Sequence, residues 1–478
     1  MTDSELHYRS IAALGRRLRT GELSPVALTE TLLARMEELD GALGAFQLVA
    51  PDRALAAARA AETQLAAGQD LGPLHGIPYA AKDLFDVAGL PTTAGTHLLA
   101  DNIAAADAAV VARLARAGMI LIGKTKTVQF AYGGAGVNGD LGTPHNPWHR
   151  DHHLPGGSSS GSAVCVAAGM APAALGSDTG GSVRIPAALC GITGLKTTVG
   201  QVSRAGVYPL SWSLDSVGPL TRSVEDAALL YQAMQGPEAG DDTTHGQALQ
   251  DVMTGLGDGV DGLRIGIAET VFWNDAHPQV AAAVRAAAEV FDGLGAQVRS
   301  VEFPAAADAV ALNPAGLVIA AEAYTVNRRF IDGHYDELDP IVASRMIKGR
   351  DVTAADYLQT TLAWKRLRLE AVRQLTDLDA VLCPTTPIPA CTLAEVDGDM
   401  EAYSHKNLMY LRNTAIGNIL DLCGLSVPCG LTAEGLPIGL MLYARPFQED
   451  MVLRIGHAYQ QATEWHLQRP ELTWATSR

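Results

Sequence analysis

The chain has 478 residues, 48% hydrophobic and 18% charged, which is enough to bury a sizeable core and too apolar for global disorder. Its 35 basic and 52 acidic residues give a formal charge of −17, a balance that repels phosphate backbones and argues against a broad nucleic-acid surface. Six scattered cysteines without a C-x-x-C pair, no basic-then-apolar leader at the N-terminus, and no apolar run long enough to span a bilayer suggest a soluble, cytoplasmic protein with no disulfide framework.

Residues 8–65 read as helical. Ser24 and Pro25 form an N-cap and first-turn pair for a helix over 26–39, and 53–67 is alanine-rich. From Pro73 the pattern changes to short apolar runs punctuated by glycine. Strands are expected over 79–87 and 119–124, with a helix over 104–117 between them. A helix of small residues over 162–169 follows a Gly/Ser stretch, and a short strand is expected at 173–175. Residues 235–262, rich in Gly and Asp, read as a surface excursion. Next come a strand (263–268), a helix (278–294) and a strand (297–303), then a helical excursion over about 305–375. A strand over 379–383 runs into the loop 384–389, and 425–431 and 436–443 flank Thr432–Gly435 as a hairpin. The alternation predicts an α/β fold with a mixed or parallel sheet. No composition break or repeat divides the chain, so one domain over 1–478 is expected, with an N-terminal helical segment 1–70.

The chemistry concentrates in two glycine-preceded serines 24 residues apart and one lysine. Ser158 lies in Gly156-Gly-Ser-Ser-Ser-Gly-Ser162, and Ser182 in Gly176-Ser-Asp-Thr-Gly-Gly-Ser-Val-Arg-Ile-Pro186. Glycines before Ser182 relax the backbone limits that otherwise prevent successive N–H groups from converging, and such a nest beside a hydroxyl is what an oxyanion hole needs. The apolar run after Ser158 argues against a flexible linker. Lys82, in Gly76-Ile-Pro-Tyr-Ala-Ala-Lys-Asp83, is placed in an apolar strand where desolvation lowers a lysine pKa towards neutrality. A nucleophile, a proton relay and a base are thus available without histidine, which points to acyl transfer.

These stretches resemble the amidase signature family, together with Asn146-Pro147-Trp148 and Ser426-Val-Pro-Cys-Gly430 … Gly435-Leu-Pro-Ile-Gly439. The resemblance covers nearly the whole chain and implies a large mixed sheet covered by helices on both sides. It also implies Ser182 as nucleophile, Ser158 as the serine after a cis peptide, and Lys82 as the neutral base. The N–H groups of Thr179, Gly180, Gly181 and Ser182 would form the oxyanion hole, braced by Ser177, Asp178 and Arg184. Pocket-lining stretches in relatives correspond to Gln129, Phe130, Tyr132 and Thr386, with Trp212 a further candidate; each is equally plausible as packing. The implied reaction is hydrolysis of a small amide, anilide or carbamate through an acyl-enzyme, with no metal or organic cofactor. The catalytic A-type chain of a glutamine-dependent tRNA amidotransferase is the alternative, and the oligomeric state, a homodimer included, stays open.

Two other patterns carry less. Gly157-Ser-Ser-Ser-Gly161 satisfies G-x-S-x-G with Ser159 as nucleophile, but that motif needs a strand entering the turn and a loop is expected here. His145, His149, His152 and His153 lack a completing ligand set and read as a solvated loop.

Overall fold

The computed structural model describes residues 3–313 and 316–476; the two ends of the expected 1–478 domain and residues 314 and 315 of the expected excursion lie outside the described residues. Its centre is one eleven-stranded sheet. In chain order the strands are β1 (Phe46–Val49), β2 (Pro78–Lys82), β3 (Ile120–Thr125), β4 (Ala173–Asp178), β5 (Thr193–Lys196), β6 (Ser216–Thr221), β7 (Arg264–Ala268), β8 (Gln297–Val301), β9 (Ala380–Pro384), β10 (Cys423–Leu431) and β11 (Pro437–Ala444). Their order across the sheet is β1-β3-β2-β4-β6-β5-β10-β11-β9-β7-β8. The trios β3-β2-β4 and β9-β7-β8 are parallel, and the remaining pairs are antiparallel.

Both faces of the inner strands are buried, and β2 displays the alternation that requires this. Tyr79 and Ala81 enter an apolar cluster with Leu14, Leu18 and Leu114, whereas Ala80 enters another with Val164, Met170 and Ala174. The expected mixed sheet with helices on both sides is therefore observed. Ser24 caps the helix Pro25–Leu43 through the N–H groups of Val26 (3.0 Å) and Ala27 (3.2 Å), with Pro25 in the first turn, as the sequence predicts.

Several boundaries differ. The expected strand over 79–87 ends at Lys82, because the chain turns there: the Leu84 N–H donates to the Lys82 carbonyl and the Asp83 N–H to the Thr125 carbonyl. The N-terminal helical run is interrupted by β1, whose four residues pair with β3. The helix expected over 104–117 is confined to Ala109–Arg116, that over 162–169 is Ser160–Ala167, and the strand expected over 297–303 stops at Val301. Strand β4 extends to Asp178, three residues beyond the expected 173–175.

Candidate active site

The ends of β2 and β4 carry the first two functional groups. In their parallel pairing Ala80 faces Ala174 and Ala81 faces Leu175, so Lys82 and Ser177 emerge side by side. Lys82 Nζ donates to Ser177 Oγ and to Ser158 Oγ, each at 2.8 Å. Lys82 is fully buried. Burial pushes its amine down to about 7, against the opposing influence of Asp215 and Asp178. A lysine lowered towards neutrality can exchange its proton near neutral pH.

Ser158 follows a cis Gly157–Ser158 peptide. Its carbonyl accepts from the Val128 N–H (3.2 Å) and Thr127 Oγ1 (3.0 Å), and the Gly157 N–H donates to the Gly134 carbonyl (2.8 Å). A Cβ on Gly157 would stand 2.8 Å from Gly136 Cα, so the close approach of these two backbone segments requires glycine. Ser159 sits at the start of the helix Ser160–Ala167, and its hydroxyl donates to the Ser177 carbonyl at 3.3 Å. No strand enters this turn, since residues 149–157 form none.

Ser182 lies beyond the end of β4, buried, with its carbonyl accepting the Ser159 N–H at 3.3 Å. The two serine loops therefore abut. No hydrogen bond joins the Ser158 and Ser182 hydroxyls among the described residues. In the stretch between Asp178 and Ser182, the Gly181 N–H donates to Asp178 Oδ1 (2.9 Å), whereas those of Thr179, Gly180 and Ser182 have no protein acceptor among the described residues. Gly181 adopts φ +132°, and a Cβ there would fall 2.1 Å from Thr414 Oγ1.

Asp178 organises the rest. It takes Arg184 in two bonds (Nε to Oδ2, 3.0 Å; Nη2 to Oδ1, 2.9 Å), together with Asn418 Nδ2 (2.8 Å) and the Val183 N–H (3.1 Å). Burial works against its charge, yet the Arg184 guanidinium holds the carboxyl well below the usual carboxylate range. Arg184 in turn donates to the Tyr443 hydroxyl (2.6 Å) and to Asn418 Oδ1 (2.7 Å). It belongs to the frame that shapes the glycine stretch.

The expected substrate contacts sit in varied settings. Gln129 braces a loop: its amide nitrogen donates to Asp140 (3.1 Å), and its oxygen accepts the Asp339 N–H (3.0 Å). Phe130 is buried between Tyr208 and Phe330, with ring centroids 6.0 and 5.5 Å away. Tyr132 is buried beneath the Arg345 guanidinium, which stands 4.1 Å from the ring centroid and donates to the Tyr132 carbonyl at 2.7 Å. Thr386 is buried just past β9. Trp212, 47% exposed, borders a cavity of about 300 Å³ that Leu84, Ser177, Tyr208 and Asp215 also line. No motif in the sequence marks Asp215 or Arg345, and both emerge only from the fold. The histidine loop stacks on itself, His145 on His152 at 4.4 Å, and His145 Nε2 meets the carbonyls of His149 and Asp151, each at 3.0 Å.

Residues 27–453 match the Amidase family. The chain belongs to that family. Its members hydrolyse C–N bonds, and this chain is an amidase by that membership. It is 40% identical over 454 residues to the 2-amino-5-chloromuconic acid deaminase of Comamonas testosteroni, covering 94% of this chain and 95% of that protein. It is 39% identical over 499 residues to the A-type chain of the glutamyl-tRNA(Gln) amidotransferase of Chloroflexus aurantiacus, covering 98% and 99%. Among solved structures, a chain from a vestigial protein complex that bears on the evolutionary origins of an s-triazine catabolic enzyme superposes with a TM-score of 0.87 at 34% identity, over 95% of this chain and 98% of that one. No helix among the described residues is long and apolar enough to cross a membrane.

Proposed function

We propose that this amidase hydrolyses a small amide through a Ser182–Ser158–Lys82 triad and an acyl-enzyme. The observation that carries the reading is the Lys82–Ser158 hydrogen bond at 2.8 Å inside a fully buried site. Neutral Lys82 draws a proton through Ser158 from Ser182, whose oxygen attacks the carbonyl carbon. The N–H groups of Thr179, Gly180 and Ser182 receive the developing oxyanion, with Gly181 already committed to Asp178. The proton held by Lys82 returns through Ser158 to the leaving nitrogen, and a water activated by the same base releases the acid. A serine-directed phosphonofluoridate is expected to label Ser182, and Ser182→Ala to fold and lose essentially all turnover. Labelling at Ser159 would overturn the assignment.

The substrate side is supported by Arg345. Its guanidinium is half-buried against Tyr132, one residue before Gly133, and pairs with no carboxylate among the described residues. The Gly133 carbonyl lies 3.0 Å from where a Cβ on Gly157 would stand, so Arg345 braces a segment that packs on the Gly157–Ser158 peptide. A carboxylate-bearing amide fits this cation, and the deaminase relative is named for an acid. Arg345→Gln is expected to raise KM for acidic amides more than for neutral ones of the same size. An equal change for both would remove the carboxylate from the reading.

The second reading, the A-type chain of an amidotransferase, rests on the match over 98% of this chain. Copurification of partner proteins together with glutamine hydrolysis would favour it over a self-sufficient amidase.

A further inference from the structure

The stretch from Thr179 to Ser182 contains two consecutive glycines and must nevertheless hold its N–H groups to within about 0.5 Å to act on an oxyanion. Three side chains grip it. Asp178 takes the Gly181 N–H, Thr414 Oγ1 donates to the Gly180 carbonyl at 2.7 Å, and the Thr179 hydroxyl donates to Asp215 Oδ1. We infer that Asp215 is a positioning residue for this reaction, clamping the Thr179 end of the oxyanion stretch; the inference rests on the Ser182 reading above.

Asp215 is itself held rigidly. Its second oxygen accepts the N–H groups of Leu210 and Ser211, each at 3.0 Å. The loop that carries it is pinned from the other side by Glu322, a buried carboxylate of the helix Leu317–Gly333, which accepts the hydroxyls of Ser211, Ser213 and Tyr357. A run of hydrogen bonds thus leads from the helical excursion through residues 211–215 to Thr179.

The charge of Asp215 has no direct counter-ion. Its carboxylate meets two N–H groups and one hydroxyl, and no cation forms an ion pair with it among the described residues. Arg204, the cation that acts on it at longer range, is bound at 3.1 Å to Asp241. The charged groups around Lys82 are otherwise satisfied: Asp178 by Arg184, and Asp83, the next residue, by Lys124. A buried carboxylate without a partner cation is costly, yet an asparagine could not replace it silently, because both Asp215 oxygens accept and an amide offers only one. Asp215 lines one cavity with Ser177, the hydroxyl to which Lys82 donates at 2.8 Å. When Lys82 takes a proton, Asp215 and Asp178 stabilise the ammonium that forms.

The test compares Asp215→Asn with Thr179→Val by the pH profile of kcat/KM and by separate kcat and KM values. Asp215→Asn removes the negative charge, so the proton on Lys82 is held less tightly and the acid limb should move to lower pH; misplaced donors should lower plateau kcat by about 10²-fold. Thr179→Val cuts the clamp and keeps the charge, so kcat should fall by a comparable factor with KM and the acid limb unmoved. A folded Asp215→Asn enzyme with the wild-type limb and plateau would overturn the inference. If Asp215→Asn fails to fold, Thr179→Val with kcat within twofold of wild type would overturn it instead. Turnover surviving in Ser182→Ala would remove the underlying reading, whatever the Asp215 variant does.

Discussion

Lys82 and Lys124 occupy the adjacent parallel strands β2 and β3, and both are fully buried. A register shift between Tyr79 and Ala80 sets Lys124 opposite Ala81, so the two amines leave opposite faces of the sheet. Lys124 meets a carboxylate, Asp83 Oδ1 at 2.6 Å, and the Pro91 carbonyl at 3.0 Å. Lys82 meets two hydroxyls and no carboxylate within bonding distance. The same residue type at nearly the same depth is thus used in two ways. A bonded counter-ion fixes one lysine as a structural cation, whereas hydroxyl partners leave the other able to exchange its proton.

The comparison fails if the two lysines respond alike to substitution. The largest expected effect is Lys82→Arg: guanidinium stays protonated at any working pH, so kcat/KM should fall by roughly 10²–10⁴-fold throughout the profile. Circular dichroism should report a retained fold. A folded Lys82→Arg enzyme with substantial activity would mean that Lys82, too, is only a structural cation. Lys124→Met should act on the other quantity. It leaves Asp83 buried without its partner and should cost about 3–5 kcal/mol of stability in denaturant titration, while kcat/KM of the folded fraction stays near wild type. The smallest effect sharpens the distinction. In the parent enzyme kcat/KM should rise with pH through about 7 as Lys82 loses its proton, then level off. That limb should stay in place in Lys124→Met, and its displacement there would show the two sites to be electrostatically coupled.

The site is legible in the sequence where its residues are contiguous. Gly157, Ser158, Gly180, Gly181 and Ser182 stand in two short glycine-serine segments that are visible locally; close backbone approach demands Gly157, and a φ of +132° against the Thr414 side chain demands Gly181. Lys82 can be read because a cation in an apolar run is conspicuous, although the apolar run outlasts the strand, which turns after Lys82. The frame is not legible. Thr414 and Asn418 come from the helix Met400–Ile419, whose buried face includes four polar residues, Asn407, Asn413, Thr414 and Asn418, and so lacks an apolar stripe. Strand β6 contains Gly218 and Pro219, which argue against a strand, yet it lies between β4 and β5 in the interior of the sheet. Asp215, at its threshold, is hidden with it. Strands β1 and β5, of four residues each, are too short for periodicity to separate from loop.

The pairing of β2 with β4 has one more consequence. Lys82 and Ser177 are 95 positions apart, and Lys82 and Ser158 are 76, so nothing local brings amine and hydroxyl together. Sliding β2 by a single residue along β4 would swing the amine to the far side of the sheet, where Lys124 already stands. The register therefore works as an interlock. Only a chain whose central strands have found their final alignment sets the Lys82 amine beside Ser158 and Ser177.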